Sequence, residues 1–132
     1  MNRCFIALGS NLGDRMAILH EALDELAALG RLRRPPSVYE TRPVGPSSAP
    51  FLNGVAELRC ALDPRDLLQR LHALEAKAGR QRSVRWGART LDLDLLAVQD
   101  ASGALVHSES APVLPHPRLH LRDFVLAPLC DL

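Results

Sequence analysis

Two aspartates one residue apart, Asp92 and Asp94, alternate with Leu91, Leu93 and Leu95 in the run R-W-G-A-R-T-L-D-L-D-L-L from Arg85 to Leu96. Side chains two apart on a strand share a face, so this period sends the leucines into a core and both carboxylates to the opposite side. At a rise of about 3.3 Å per residue their Cα atoms stand about 6.6 Å apart, close enough to ligate one metal ion together or to bridge two. Arg80, Arg82, Arg85 and Arg89 lie just before them, and no acid falls between Gly79 and Thr90. Guanidinium groups form charge-assisted, often bidentate hydrogen bonds to phosphoryl oxygens. Carboxylates that want a cation beside arginines that want an anion describe a site for a metal-bound polyphosphate. A bare Asp-x-Asp is more often the wet face of a half-buried strand; Arg85, Trp86 and Arg89 beside it reverse that reading.

A flat acceptor completes the chemistry. Trp86, Phe51 and Phe124 could cover a planar ligand, each stacked ring contributing about 0.5–1.5 kcal/mol beyond burial. Asn53 follows Phe51 at a strand start, a good place for an amide to read the edge of a heterocycle. The pieces together fit a phosphotransferase, in which the protein mainly positions the partners and stabilises charge.

The elements that must hold these residues are legible from periodicity. Cys4 to Leu8 reads as a buried strand broken by Gly9-Ser10-Asn11, and Asp14 caps a helix whose stripe is Ile18, Leu19, Ala22, Leu23 and Leu26, stopped at Gly30. Gly-Ser-Asn-Leu-Gly before that helix lacks the Lys-Ser/Thr ending of a P-loop, so alone it is a tight turn first. Arg33-Arg34-Pro35-Pro36 reads as a connector, with Arg31, Arg33 and Arg34 a surface cluster. Ser37 to Thr41 reads as a strand, Arg42 to Pro50 as a proline-rich loop, and Phe51 to Cys60 as an alternating strand. Asp63 and Pro64 open a second helix with the stripe Leu67, Leu68, Leu71, Leu74 and Ala78, ended by Gly79. After the aspartate strand, Gln99 to Gly103 signals a turn, Ala104 to His107 a returning hairpin strand, Ser108 to Pro117 a loop, and Phe124 to Leu129 the start of a last helix. The order β-α-β-β-α-β, with an added hairpin and helix start, predicts an α+β ferredoxin-like sandwich with both helices on one sheet face.

Bulk composition narrows the class. A chain of 132 residues is expected to be one domain, 1–132, and a net charge of +1 argues against a general polyanion binder. Cys4, Cys60 and Cys130 have no Cys-x-x-Cys spacing, which indicates neither a disulfide framework nor a zinc site and suits a reducing cytoplasm. No basic-then-apolar signal and no apolar run near the ~20 residues of a membrane helix are seen, so no membrane role is expected.

Four blocks of residues resemble the 6-hydroxymethyl-7,8-dihydropterin pyrophosphokinase family of folate biosynthesis: L-G-S-N-L-G (Leu8 to Gly13), Y-E-T-R-P-V-G running on to F-L-N (Tyr39 to Asn53), G-R-x-R with R-W-G-A-R-T-L-D-L-D-L-L (Gly79 to Leu96), and P-H-P-R-L with R-D-F-V-L-A-P-L (Pro115 to Leu129). The third is highly specific. The resemblance implies transfer of the terminal diphosphate of ATP to the hydroxymethyl group of the pterin, giving AMP, by a monomer that needs two Mg²⁺ ions. It makes Asp92 and Asp94 the metal ligands and, with Arg82 and Arg89, the catalytic set. Glu75, Arg80, Arg82, Arg85, Arg89, His116 and Arg122 become the ATP side. Phe51 and Phe124 become the rings around the pterin, Asn53 the amide on its edge, Thr41 and Val44 its backbone contacts, and Trp86 a lid. The sequence departs from the pattern at Ala88, where the family usually has Pro, in a short proline loop before Phe51, and in a chain that stops before the family's usual C-terminus. Two other readings compete: a ferredoxin-like RNA-binding module using Trp86 and the arginines, and a kinase moving one phosphoryl group to another small acceptor. The first lacks an aromatic pair on central strands to stack bases; the second would release ADP.

Overall fold

The computed structural model describes residues 1–10, 15–33, 39–41, 51–82 and 91–116. Its elements are β1 (Asn2–Ser10), α1 (Arg15–Ala27), β2 (Arg31–Arg33), β3 (Tyr39–Thr41), β4 (Phe51–Cys60), α2 (Pro64–Arg82) and β5 (Asp92–Gln99). The sheet runs β2-β4-β1-β5 with every neighbour antiparallel, and β3 pairs with the other half of β4. With β2 and β3 sharing one edge, this is the ferredoxin-like α+β arrangement that the element order predicts.

The core forms between one sheet face and the two helices. Cys4, Ile6 and Leu8 of β1, Ala56, Leu58 and Cys60 of β4, and Leu93, Leu95 and Val98 of β5 pack with Ile18, Leu19, Leu23 and Leu26 of α1 and Leu67 and Leu71 of α2. Each such aliphatic side chain contributes roughly 1.5–3 kcal/mol when buried. The alternation along β5 shifts phase between Leu95 and Val98, because the β1 register slips between Phe5 and Ile6. One extra residue on β5 is a bulge. It returns Val98 to the core and leaves Leu96 buried outside the helix-side cluster.

Local chemistry sets the helix ends. Asp63 caps α2, its Oδ1 accepting from the Arg65 N–H at 2.8 Å, with Pro64 in the first helical position. The helix then continues through Gly79 to Arg82, past the expected stop. Good helix formers on both sides of a single glycine outweigh its penalty of about 1 kcal/mol. After α1 the N–H groups of Ala28 and Leu29 fold back to Glu25 and Leu26, and the chain turns directly into β2. The expected connector, Arg33 to Pro36, overlaps β2 only at Arg33 and otherwise lies outside the described residues; β2 itself has one apolar member, Leu32, and is too short to show its period. Arg31 and Arg33 are indeed exposed. Gly30 is needed for close approach, since a Cβ there would run into the Arg59 carbonyl oxygen and come within 2.9 Å of the Cys60 Cβ.

Two further expectations need adjustment, and the cysteine reading holds for the two described thiols. β1 does not break at Gly9 but pairs through Ser10. The return strand after the turn is reduced to one bridge, Gln99 to Leu105, beside the Val106 N–H donating to Val98 at 2.8 Å. Cys4 and Cys60, remote in sequence, meet as free thiols in the core, where burial first and the neighbouring thiol second push the Cys4 group up to about 12. The Asp14 cap, the Arg42 to Pro50 loop, Cys130 and the Phe124 to Leu129 helix lie outside the described residues.

Replacing Gly30 by Ala should destabilise the fold by about 1–3 kcal/mol through overpacking against β4. Urea unfolding checks this; a change below about 0.5 kcal/mol, the usual range for an exposed surface site, would show that the close approach does not matter.

Candidate functional site

The sheet register assembles one end of the face opposite the helices. Gly9 pairs with Asn53 on one side and Asp92 on the other, and Tyr39 pairs with Asn53 in turn, so Tyr39, Asn53, Gly9 and Asp92 form one row across four strands. In the next row Ala7 lies between Val55 and Asp94. Two strand spacings separate Asn53 from Asp92, about 10 Å between backbones. The central strand offers only Gly9 and Ala7 between them, both buried. A floor without bulky side chains therefore runs from the aspartates to the strand that begins with Phe51.

Asp92 and Asp94 are half-buried while Leu91, Leu93 and Leu95 are buried, as the period of two requires. The pair forms no group of three His, Cys, Asp or Glu residues able to hold a metal among the described residues. Two carboxylates on a shared face nevertheless suit Mg²⁺, which takes few protein ligands and completes its octahedron with water and phosphate oxygens.

The outer edge of β5 is tied down at three places. The Leu93 N–H donates to Glu75 Oε2 of α2 at 3.0 Å, His116 N–H donates to the Leu96 carbonyl at 2.7 Å, and Val106 N–H donates to the Val98 carbonyl. The second of these brings the segment carrying His116 alongside the aspartate strand. At the far end of the same sheet face Arg3 lies 5.1 Å over the Phe5 ring, pairs with buried Glu57 and reaches Gln99 at 3.3 Å. That polar cluster is remote from the aspartates. A cavity of about 30 Å³ between the helices, lined by residues such as Ile18, Leu74 and Leu91, is a packing gap far below the roughly 300 Å³ at which small-molecule pockets begin.

Comparison with known proteins decides the family. The model of the family described as 7,8-dihydro-6-hydroxymethylpterin-pyrophosphokinase matches residues 5–132. The chain belongs to this family. Proteins named 2-amino-4-hydroxy-6-hydroxymethyldihydropteridine pyrophosphokinase resemble it from Bacillus subtilis (42% identity, 99% of this chain and 78% of the relative) and from Pseudomonas aeruginosa (42%, 100% and 81%). One from Mycobacterium leprae is 45% identical over 97% of this chain and 70% of its own length.

As a hydroxymethylpterin pyrophosphokinase family member, the chain distributes its anticipated site residues unevenly. The described strands and helices bring together Asp92, Asp94, Glu75 and His116 around β5, and place Thr41, Phe51 and Asn53 at the same sheet end across β1. Arg80 and Arg82 belong to the last turn of α2. Val44, Arg85, Trp86, Arg89, Arg122 and Phe124 lie outside the described residues. Two features of this sheet end have no counterpart in the sequence reading: Gly9 in the row between Asn53 and Asp92, signalled by a glycine inside a strand-like run, and the Leu93 backbone N–H held by Glu75, for which no side-chain pattern exists.

Gly9→Val should retain the sheet, because β-branched residues suit strands. A side chain between Asn53 and Asp92 should lower turnover at least about tenfold, the scale of a 1–3 kcal/mol steric conflict. Circular dichroism with steady-state kinetics checks both, and native kinetics in a folded variant would show that the floor is not used.

Proposed function

We propose that this chain transfers the β,γ-diphosphate of ATP to the hydroxymethyl group of 6-hydroxymethyl-7,8-dihydropterin, releasing AMP, in folate biosynthesis. The observation that supports the reading is the backbone row Asn53, Gly9, Asp92, in which a residue proposed for the pterin and a residue proposed for the metal share one register position across three strands in a chain of this family.

The residues divide the work by chemistry. Asp92 and Asp94 would hold two Mg²⁺ ions against the phosphates, and bound Mg²⁺ supplies neutralisation of charge on the bridging oxygens. Arg82 and Arg89, with Arg80 and Arg85, grip the phosphoryl oxygens bidentately, and His116 and Arg122 extend that contact. Glu75 stands beside the nucleotide. Phe51 and Phe124 stack on the two faces of the pterin, Asn53 pairs with its edge, Thr41 and Val44 contact it through backbone groups, and Trp86 covers it. A site whose amide expects a heterocycle edge rejects ligands lacking it, since its own polar atoms would be left unpaired. The acceptor hydroxyl, held in line with the β-phosphorus, attacks as AMP departs. Buried, unpaired Cys4 and Cys60 support a reducing, cytoplasmic setting, and among the described residues no helix is long and apolar enough to cross a membrane.

Incubation with Mg-ATP and the hydroxymethylpterin should yield AMP; ADP would point to single phosphoryl transfer instead. Asp92→Asn and Asp94→Asn should each reduce turnover on the order of a thousandfold, the loss of several kcal/mol of charge stabilisation. A near-normal rate in either variant contradicts the assignment.

A further inference from the structure

Glu75 is half-buried on the sheet-facing side of α2, one residue after Leu74 and four after the fully buried Leu71. A carboxylate there loses part of its hydration and needs a hydrogen-bond donor in exchange. Its Oε2 takes the Leu93 N–H at 3.0 Å. Leu93 is the residue between Asp92 and Asp94, and among the described residues β5 is the outer strand of the sheet, paired with β1 on its inner side. An outer strand presents N–H groups that no further strand satisfies, and Glu75 takes the place of that missing neighbour.

We propose that Glu75 is a positioning residue for the metal-binding pair. The Leu93 N–H belongs to the peptide unit that begins at Asp92, whose carbonyl points the opposite way, toward β1. Clamped by α2 on one side and β1 on the other, this unit cannot rotate, and Asp92 and Asp94 keep their common face. A carboxylate makes a stronger hydrogen bond to a backbone N–H than an amide does, and its charge adds to the negative potential that draws a divalent cation. Glu75 thus acts through the backbone of the strand as well as beside the nucleotide. The inference rests on the reading of Asp92 and Asp94 as the Mg²⁺-holding pair.

The test uses the full chain with Glu75→Ala, which keeps a strong helix former in α2, and Glu75→Gln, which keeps an oxygen acceptor. Amide hydrogen exchange at Leu93 is read by NMR without nucleotide, with the Leu67 and Leu71 amides as internal controls, and the Mg²⁺ concentration for half-maximal turnover is measured alongside. Glu75→Ala should speed Leu93 exchange by about tenfold or more, the scale of a lost hydrogen bond to a charged group, and raise the half-saturating Mg²⁺ several-fold with KM for the pterin unchanged. Glu75→Gln should restore most of the Leu93 protection. Unaltered Leu93 exchange in Glu75→Ala overturns the clamp, and faster exchange with an unmoved Mg²⁺ requirement overturns the positioning role. An Asp92→Asn variant whose Mg²⁺ requirement also stays put would instead remove the metal reading on which the inference stands.

Discussion

The site depends on the register of β1, the strand paired on both sides. Nine consecutive residues, Asn2 to Ser10, are matched to β4, and seven to β5. Cys4, Ile6 and Leu8 must face the helices for the core to close, which forces Ala7 and Gly9 to the opposite face. A slip of one residue would exchange the two sets and expose three buried side chains at roughly 1.5–3 kcal/mol for a large aliphatic one. Burial that has nothing to do with ligands therefore decides that Gly9, and no larger residue, separates Asn53 from Asp92.

A second constraint acts on β5 from outside. An edge strand carrying two like charges is a weak place on which to build a binding site, because its free backbone groups invite fraying or foreign pairing. Here α2 holds the Leu93 N–H and the His116 N–H holds the Leu96 carbonyl. The same helix that clamps the aspartates carries Arg80 and Arg82 in its last turn. Groups suited to a cation and groups suited to an anion are thus joined by one rigid element, within less than two helical turns of sequence.

Much of this was legible in the amino-acid sequence because the strongest signals are periodic or capped. The β4 boundaries, the Asp63-Pro64 start of α2 and the inward leucines around Asp92 and Asp94 follow from alternation and local hydrogen bonding, and the structure repeats them. What escaped was short or depended on distant contacts. β2 offers one apolar residue, Gly79 was overruled by its helical neighbours, and Gly9 looked like a strand breaker because its pairing partners are more than forty and eighty residues away. The Glu75 contact could not be foreseen at all, since its partner is a backbone N–H available at any residue. Family resemblance pointed to Glu75 as a nucleotide neighbour; only the fold shows what its carboxylate holds.

On the proposed function, one sheet face brings two carboxylates together as a divalent-cation site for a polyphosphate. The direct measurement is a crystal of the full chain grown with Mn²⁺ and a nonhydrolysable ATP analogue, with anomalous scattering used to locate the metal. Anomalous peaks at coordination distance from carboxylate oxygens of both Asp92 and Asp94, and against the phosphates, are the predicted result. Bound analogue with metal held elsewhere, and those oxygens facing only solvent, would contradict it.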